Sequence, residues 1–161
     1  MKKFVFTLLL VFVCHLGYAQ GINGLFNEFG SEKNADCVKV SSFMMSLGKM
    51  FAGHDEDAKI IRKIKSIKVL DLESCTASVK ERFSKKVNRL SLKGYDELMR
   101  VNDEGEKVRV LMKTKKETIR ELLFVCTGKE DCTLVQINGK FTKDDIDKLV
   151  NQETGKKHGR R

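Results

Sequence analysis

The 161-residue chain contains no proline and no tryptophan, and aromatic residues make up only 7% of it. Without proline, its turns rest on glycine, asparagine and aspartate, each suited to tight turns for its own reason. No Cys-x-x-Cys pair occurs, and the only histidines are His15, His54 and His158. Structural zinc draws on such ligands, so the chain offers it little. A phosphate-cradling glycine loop, a nucleophile elbow and a His-Glu zinc motif are all missing. No apolar run approaches the roughly 20 residues that a bilayer-spanning helix needs. No cofactor is expected, and the common catalytic classes have no motif to stand on.

What is present begins with an export signal. Lys2 and Lys3 precede an apolar stretch from Phe4 to Val13 that only Thr7 interrupts. Gly17-Tyr18-Ala19 then supplies small residues at the −3 and −1 positions. The pattern predicts a secretory signal peptide over 1–19, cut before Gln20. Cys14 raises a lipoprotein alternative, but Val13 stands before it, where such a signal needs a small residue. The formal net charge of +9 falls to +7 without Lys2 and Lys3, and four of those positives lie in Lys156-Lys157-His158-Gly159-Arg160-Arg161. An exported chain seldom meets nucleic acid, so none is expected as a partner. Its basicity therefore points to anionic lipids or glycans, or marks no more than a solvated tail. The expected organisation is signal peptide 1–19, one domain over 20–151, and a disordered basic tail over 152–161.

Along the domain, Ile22, Leu25, Phe26 and Phe29 recur at helical spacing, and Val38-Lys39-Val40 alternates as a short strand. Ser41 or Ser42 caps a second helix with Phe43, Leu47, Met50 and Phe51 on one side. Met44, Met45 and Met50 in it read as adaptable core filling. Gly53-His54-Asp55-Glu56-Asp57 is an acidic loop without the ligand alternation or turn glycine of a calcium site. Ile67 to Leu72 is apolar on both faces, as an interior strand is. Ser78 and Glu81 resemble a capping box ahead of Val79, Phe83, Val87 and Leu90, which predicts a helix over 76–91.

Four strands follow between Tyr95 and Asn138, the core of the chain. Leu98 to Asn102 and Lys107 to Lys113 flank a short turn. Register matters here because a slip of one residue exchanges the faces. Pairing Val101 with Val108 and Met99 with Val110 avoids burying Arg100, which unpaired would cost several kcal/mol, about. Val108, Val110 and Met112 are then expected on the core side. Arg100, Lys107, Arg109 and Lys113 form a basic outer stripe, a candidate for an anionic surface or merely a guard against edge pairing. Ile119 to Cys126 and Thr133 to Ile137 complete the meander. Thr142 and Asp145 start a last helix with Ile146, Leu149 and Val150. The expected fold is α+β: an antiparallel sheet of five or six strands with helices packed on one face.

Cys126 and Cys132 face each other across the last hairpin if Val125 pairs with Thr133. Opposed strand residues stand at distances a disulfide accepts, so a bond is expected there. Cys37 and Cys75 meet only if the first two strands run antiparallel. A thiol enzyme is the weaker use of these cysteines, although Cys75 precedes a helix. Glu121 is placed on the core side between Ile119 and Leu123. There it is either a general acid or base with a raised pKa, or a marginal residue paired with a lysine or turned outward by a bulge.

The segments Gly94-Tyr95-Asp96-Glu97-Leu98-Met99-Arg100-Val101, Glu104-Gly105-Glu106-Lys107-Val108-Arg109, Ile119-Arg120-Glu121-Leu122-Leu123 and Ile137-Asn138-Gly139 resemble the exported bacterial family called domain of unknown function 4252. The similarity spans most of residues 22–151. It implies a Gram-negative cell-envelope protein, periplasmic or at the cell surface, of α+β fold and without an established activity. Typical members do not share all four cysteines, and the resemblance adds no site residues. The reading favoured is a non-enzymatic binding or structural module, with an envelope protein or an anionic glycan or lipid surface as partner. The alternatives are a sensor component of envelope stress signalling, or an enzyme using Glu121 or a cysteine thiol.

Overall fold

The computed structural model describes residues 21–51, 56–90, 92–103 and 105–148. The expected signal peptide, His54, Leu149, Val150 and the basic tail lie outside these residues. Six antiparallel strands form one open sheet in the order β1-β2-β6-β5-β4-β3. They are β1 (Asp36–Val40), β2 (Ile64–Asp71), β3 (Asp96–Asp103), β4 (Glu106–Lys115), β5 (Thr118–Thr127) and β6 (Cys132–Phe141). Four helices join them: α1 (Ile22–Phe29), α2 (Ser42–Phe51), α3 (Glu56–Lys63) and α4 (Ala77–Arg89). Residues 143–148 are also helical. The fold is α+β, and β3 to β6 form the expected meander.

The helices divide between the two faces of the sheet. On the first face, α1 and α4 bury Ile22, Leu25, Phe26, Phe29, Val79, Phe83 and Val87 against Leu70, Leu111, Leu123, Val125 and Leu134. These helix positions are three or four apart, so each helix turns one stripe inward. Phe29 meets Phe83 edge to face, with ring centroids 5.3 Å apart. Ion pairs from Glu28 to Lys86 and from Glu32 to Arg82 tie the α1 region to α4 at the surface. On the second face, α3 and the 143–148 helix pack over one end, where Ile60 and Ile146 meet Ile119, Leu122 and Phe141. Phe43 and Met44 of α2 are exposed rather than core filling.

Helices cover both faces rather than the one expected, and the larger core lies on the face not expected to hold it. Met99 pairs with Val110 and Val101 with Val108, as anticipated, but Leu111 and Leu123 carry the main core and Val108, Val110 and Met112 face the other way. Arg100, Lys107, Arg109 and Lys113 do share a face, and it is the face of α1 and α4. The burial penalty that seemed to forbid this does not arise. Arg109 lies at the margin of the helix layer, keeps 22% of its side chain exposed, and bonds Glu97 at 2.9 Å.

The disulfide expected between Cys126 and Cys132 is absent, and Cys37, Cys75, Cys126 and Cys132 are free thiols. Thr127, not Cys126, stands opposite Cys132, and Val125 pairs with Leu134. Adjacent residues of a strand point to opposite faces. Cys132 is therefore buried under α4, with Sγ 3.7 Å from Ser84 Oγ, while Cys126 points to the second face. Strands β1 and β2 are antiparallel, yet Cys37 and Cys75 are also unbonded.

Local devices hold the ends of the elements. The N-cap of α4 is Thr76 rather than Ser78, and Glu81 pairs with Lys85 at 2.6 Å. Lys116 and Glu117 make the β4–β5 turn with φ of 49° and 60°, a left-handed pair usually given to Asn-Gly. A Cβ on Gly139 would stand 2.5 Å from the Phe141 ring and 2.7 Å from the Lys63 carbonyl oxygen. Thr142 and Asp145 form a reciprocal capping box: Thr142 N–H donates to Asp145 Oδ2 at 2.7 Å, and Asp145 N–H to Thr142 Oγ1 at 3.3 Å. Lys63 at the end of α3 clamps the same carboxylate at 2.6 and 2.7 Å.

Two outcomes are expected. Burial alone would raise the Asp145 pKa, but hydrogen bonds from Lys63 and Thr142 outweigh it and hold the pKa below its ordinary 3.8. The stabilisation is therefore complete above pH 3.8 and lost as the pH falls below it. Asp145→Ala should cost about 2 kcal/mol near neutral pH and less in acid, measured by urea unfolding at several pH values. Non-reducing digestion should yield no peptide that joins Cys126 to Cys132.

Candidate functional site

On the first face, α1 and α4 leave open the end of the sheet where the loop before β3 passes. The result is a cleft of about 990 Å³ lined by Gly21, Asn23, Lys93, Tyr95, Lys113, Glu121 and Gln136, among others. Its walls follow from local structure. Leu92 accepts a backbone bond from Tyr95 at 3.0 Å. The turn between them needs Gly94 at φ 83°, a conformation free of penalty only for glycine. That turn delivers Tyr95 over the sheet. Opposite, Asn23 of α1 accepts from Lys68 Nζ at 2.7 Å, which fixes the start of the helix to β2. The N-cap Gly21 offers no side chain to the first amides of α1.

Glu121 is the centre of the cleft. A bulge between Ile119 and Glu121 sends Ile119 into the second core and leaves Glu121 on the first face. Sequence reasoning placed Glu121 on the core side, but its partners are neither a lysine nor bulk water alone. Tyr95 O–H donates to Glu121 Oε1 at 2.5 Å, and Gln136 Nε2 donates to the same oxygen at 2.6 Å. Glu121 Oε2 takes no hydrogen bond from a described residue, and it is not a fully buried atom. Lys113 Nζ lies 5.4 Å from the Tyr95 ring centroid, within cation–π range.

Gln136 is 6% exposed. Its Oε1 is fully buried and has no partner among the described residues. A buried carbonyl without a donor costs about 1–3 kcal/mol, so the atom marks a place where a donor is wanted. Burial, then the hydrogen bond to Glu121 and its charge, push the Tyr95 phenol well above its ordinary 10.0. Tyr95 is therefore a fixed donor at neutral pH and not a base. Of the basic stripe, only Lys113 reaches the cleft. Arg100 and Arg109 both engage Glu97, at 2.8 and 2.9 Å, so the two share one carboxylate that offsets one of the stripe's four charges. Sequence reasoning missed Gln136. The signal was there, since Gln136 sits two residues from Leu134 on the buried side of β6, but it was hidden by reading Thr133, Val135 and Ile137 as the packed set.

Because the phenol pKa is raised on folding, its contribution to stability is complete below pH 10 and lost as the pH rises above it. Tyrosinate absorbance in folded protein should show Tyr95 still protonated well past pH 10, and Glu121→Gln should move the transition back toward the ordinary value. Tyr95→Phe should cost about 1.5 kcal/mol, read by chemical denaturation.

No curated protein and no solved structure matches the chain. The model of the family "Domain of unknown function (DUF4252)" matches residues 29–149, a span that holds all six strands and Tyr95, Lys113, Glu121 and Gln136. The chain belongs to the DUF4252 family.

Proposed function

We propose that this protein is a non-enzymatic binding module of the bacterial cell envelope, and that its cleft holds a small ligand rich in hydrogen-bond donors. The observation that carries this is the Glu121 carboxylate at the centre of the cleft: Tyr95 and Gln136 hold one oxygen, and the other takes no hydrogen bond from a described residue. An anionic acceptor with one oxygen left over in a polar cleft suits an ammonium group with neighbouring hydroxyl or amide donors. Amino sugars and short peptides of the envelope carry that chemistry. The export signal read in residues 1–19 supports the compartment. Lys113 and the uncapped start of α1 suit an anionic group elsewhere on the same ligand.

A second reading keeps Glu121 as a general base, because a polar cleft forms around it. Acid–base catalysis needs a second titratable group within reach of the substrate, and Tyr95 is held in its donor form.

Calorimetric titration with glucosamine and N-acetylglucosamine separates these readings. The binding module should prefer glucosamine, lose at least about tenfold in affinity in Glu121→Gln, and return the sugar unchanged by mass spectrometry. Conversion of the sugar favours the enzyme. Equal affinity for the two sugars, or no binding of either, sinks the proposed role of the Glu121 carboxylate.

A further inference from the structure

The second face of the sheet carries an apolar surface that the cleft does not use. Register alone defines it. Val38, Val69, Val135, Phe124, Val110 and Met99 stand directly opposite one another across all six strands. The row toward the open end continues with Thr133, Cys126, Val108 and Val101, and the row toward the helices holds Val40, Ile67, Ile137, Leu122 and Met112. No charged side chain interrupts the first row. Val38 is 56%, Met99 50% and Phe124 37% exposed. A half-solvated antiparallel sheet ordinarily alternates apolar with polar residues, and both edge strands and the centre depart from that here.

We propose that this face is the contact between two copies of the chain, packed sheet on sheet about a two-fold axis that lies between the sheets and crosses the strands. Three features fit a second copy. The first is area. Six strands about 4.8 Å apart and the two rows outside the helix-covered end, about 6.6 Å between rows, give roughly 400 Å² per copy, and the flank of each helix layer adds to it. The total approaches the lower limit for a specific interface, about 1,000 Å². The contact is therefore concentration-dependent rather than permanent.

The second feature is shape. The α3 helix and the 143–148 helix pack over one end of the face, while Val38, Phe124, Met99 and Val101 away from that end stay exposed among the described residues. A helix is about 10 Å thick, and packed sheets are spaced by about 10 Å. Each copy's helix layer thus fills the step beyond the open end of its partner's sheet. A two-fold axis along the strands would instead drive the helices into one another.

The third feature is charge. The open end carries Asp36 opposite Asp71 and Asp103 opposite Glu106, all in register with the apolar rows. The last turn of α3 is basic, with Arg62 exposed. The two-fold arrangement brings each basic turn to the partner's acidic end, and complementary ends favour this orientation over others.

Sedimentation of purified protein over a range of concentrations tests the proposal. A reversible monomer–dimer equilibrium is expected. Phe124→Lys, at an exposed position, should raise the dissociation constant at least about tenfold while circular dichroism and melting stay unchanged. Asp36→Lys and Arg62→Glu should each weaken the dimer, and the double variant should recover part of the loss. Protein that stays monomeric at every concentration overturns the proposal, whether or not it then binds phospholipid vesicles through this face. So does a dimer indifferent to Phe124→Lys and to both charge variants.

Discussion

The register between β5 and β6 decides nearly everything else in this molecule. Thr127 opposite Cys132 sets which residues of the two central strands look toward α1 and α4. Once Leu123, Val125 and Leu134 face that way, Glu121 and Gln136 must follow on the same side, and Phe124, Cys126 and Val135 must take the other. A single-residue slip would exchange the two sets. It would present Val135 and Phe124 to the helices and expel the pair that forms the floor of the cleft. Backbone pairing in the middle of the sheet is thus the common cause of the main core, the polar cleft and the apolar second face.

The cleft shows how a carboxylate is tolerated beside a core. Glu121 is two residues from Leu123, which is fully buried. A neutral phenol and a neutral amide both donate to one of its oxygens, while the other remains open to solvent. No cation is needed, and the side chain keeps one oxygen available. The same arrangement orients Gln136, because its amide nitrogen must face Glu121 and its carbonyl must then point away. A polar network that is satisfied on one side and open on the other is more economical as a receptor than as structural glue, since an apolar pair in its place would leave no orphaned acceptor.

Much of this was legible in the residues. The stripe Ile22, Leu25, Phe26, Phe29 and the stripe Val79, Phe83, Val87 define α1 and α4 because three- and four-residue spacing has one helical solution. Thr142 and Asp145 mark the last helix, and the cost of burying Arg100 selects the pairing of Val101 with Val108. The choice of face was not legible, because β4 and β5 are apolar on both sides and a single-strand pattern then carries no sign. Cys126 looked decisive and was misleading: one more residue in the strand makes Thr127 the closing partner. The bulge before Glu121 leaves no mark in the composition of β5, and it separates Ile119 from the core to which simple alternation assigns it. In α2, helical periodicity marked Phe43 as buried, and nothing in the chain itself reveals that the helix leaves it in solvent.

Gly139 gives the second core an unusual sensitivity. The α-hydrogen of that residue occupies the seam where the Phe141 ring and the end of α3 close over the sheet. Even a methyl group would have to displace either the ring or the backbone at Lys63, and both are anchored. Movement at Lys63 would carry its ammonium group away from Asp145, so a local steric insult would surface as a fraying of the C-terminal turn some distance along the chain. The lid over the far end of the sheet is in this sense latched by the smallest residue available, and its integrity is a matter of what is not there.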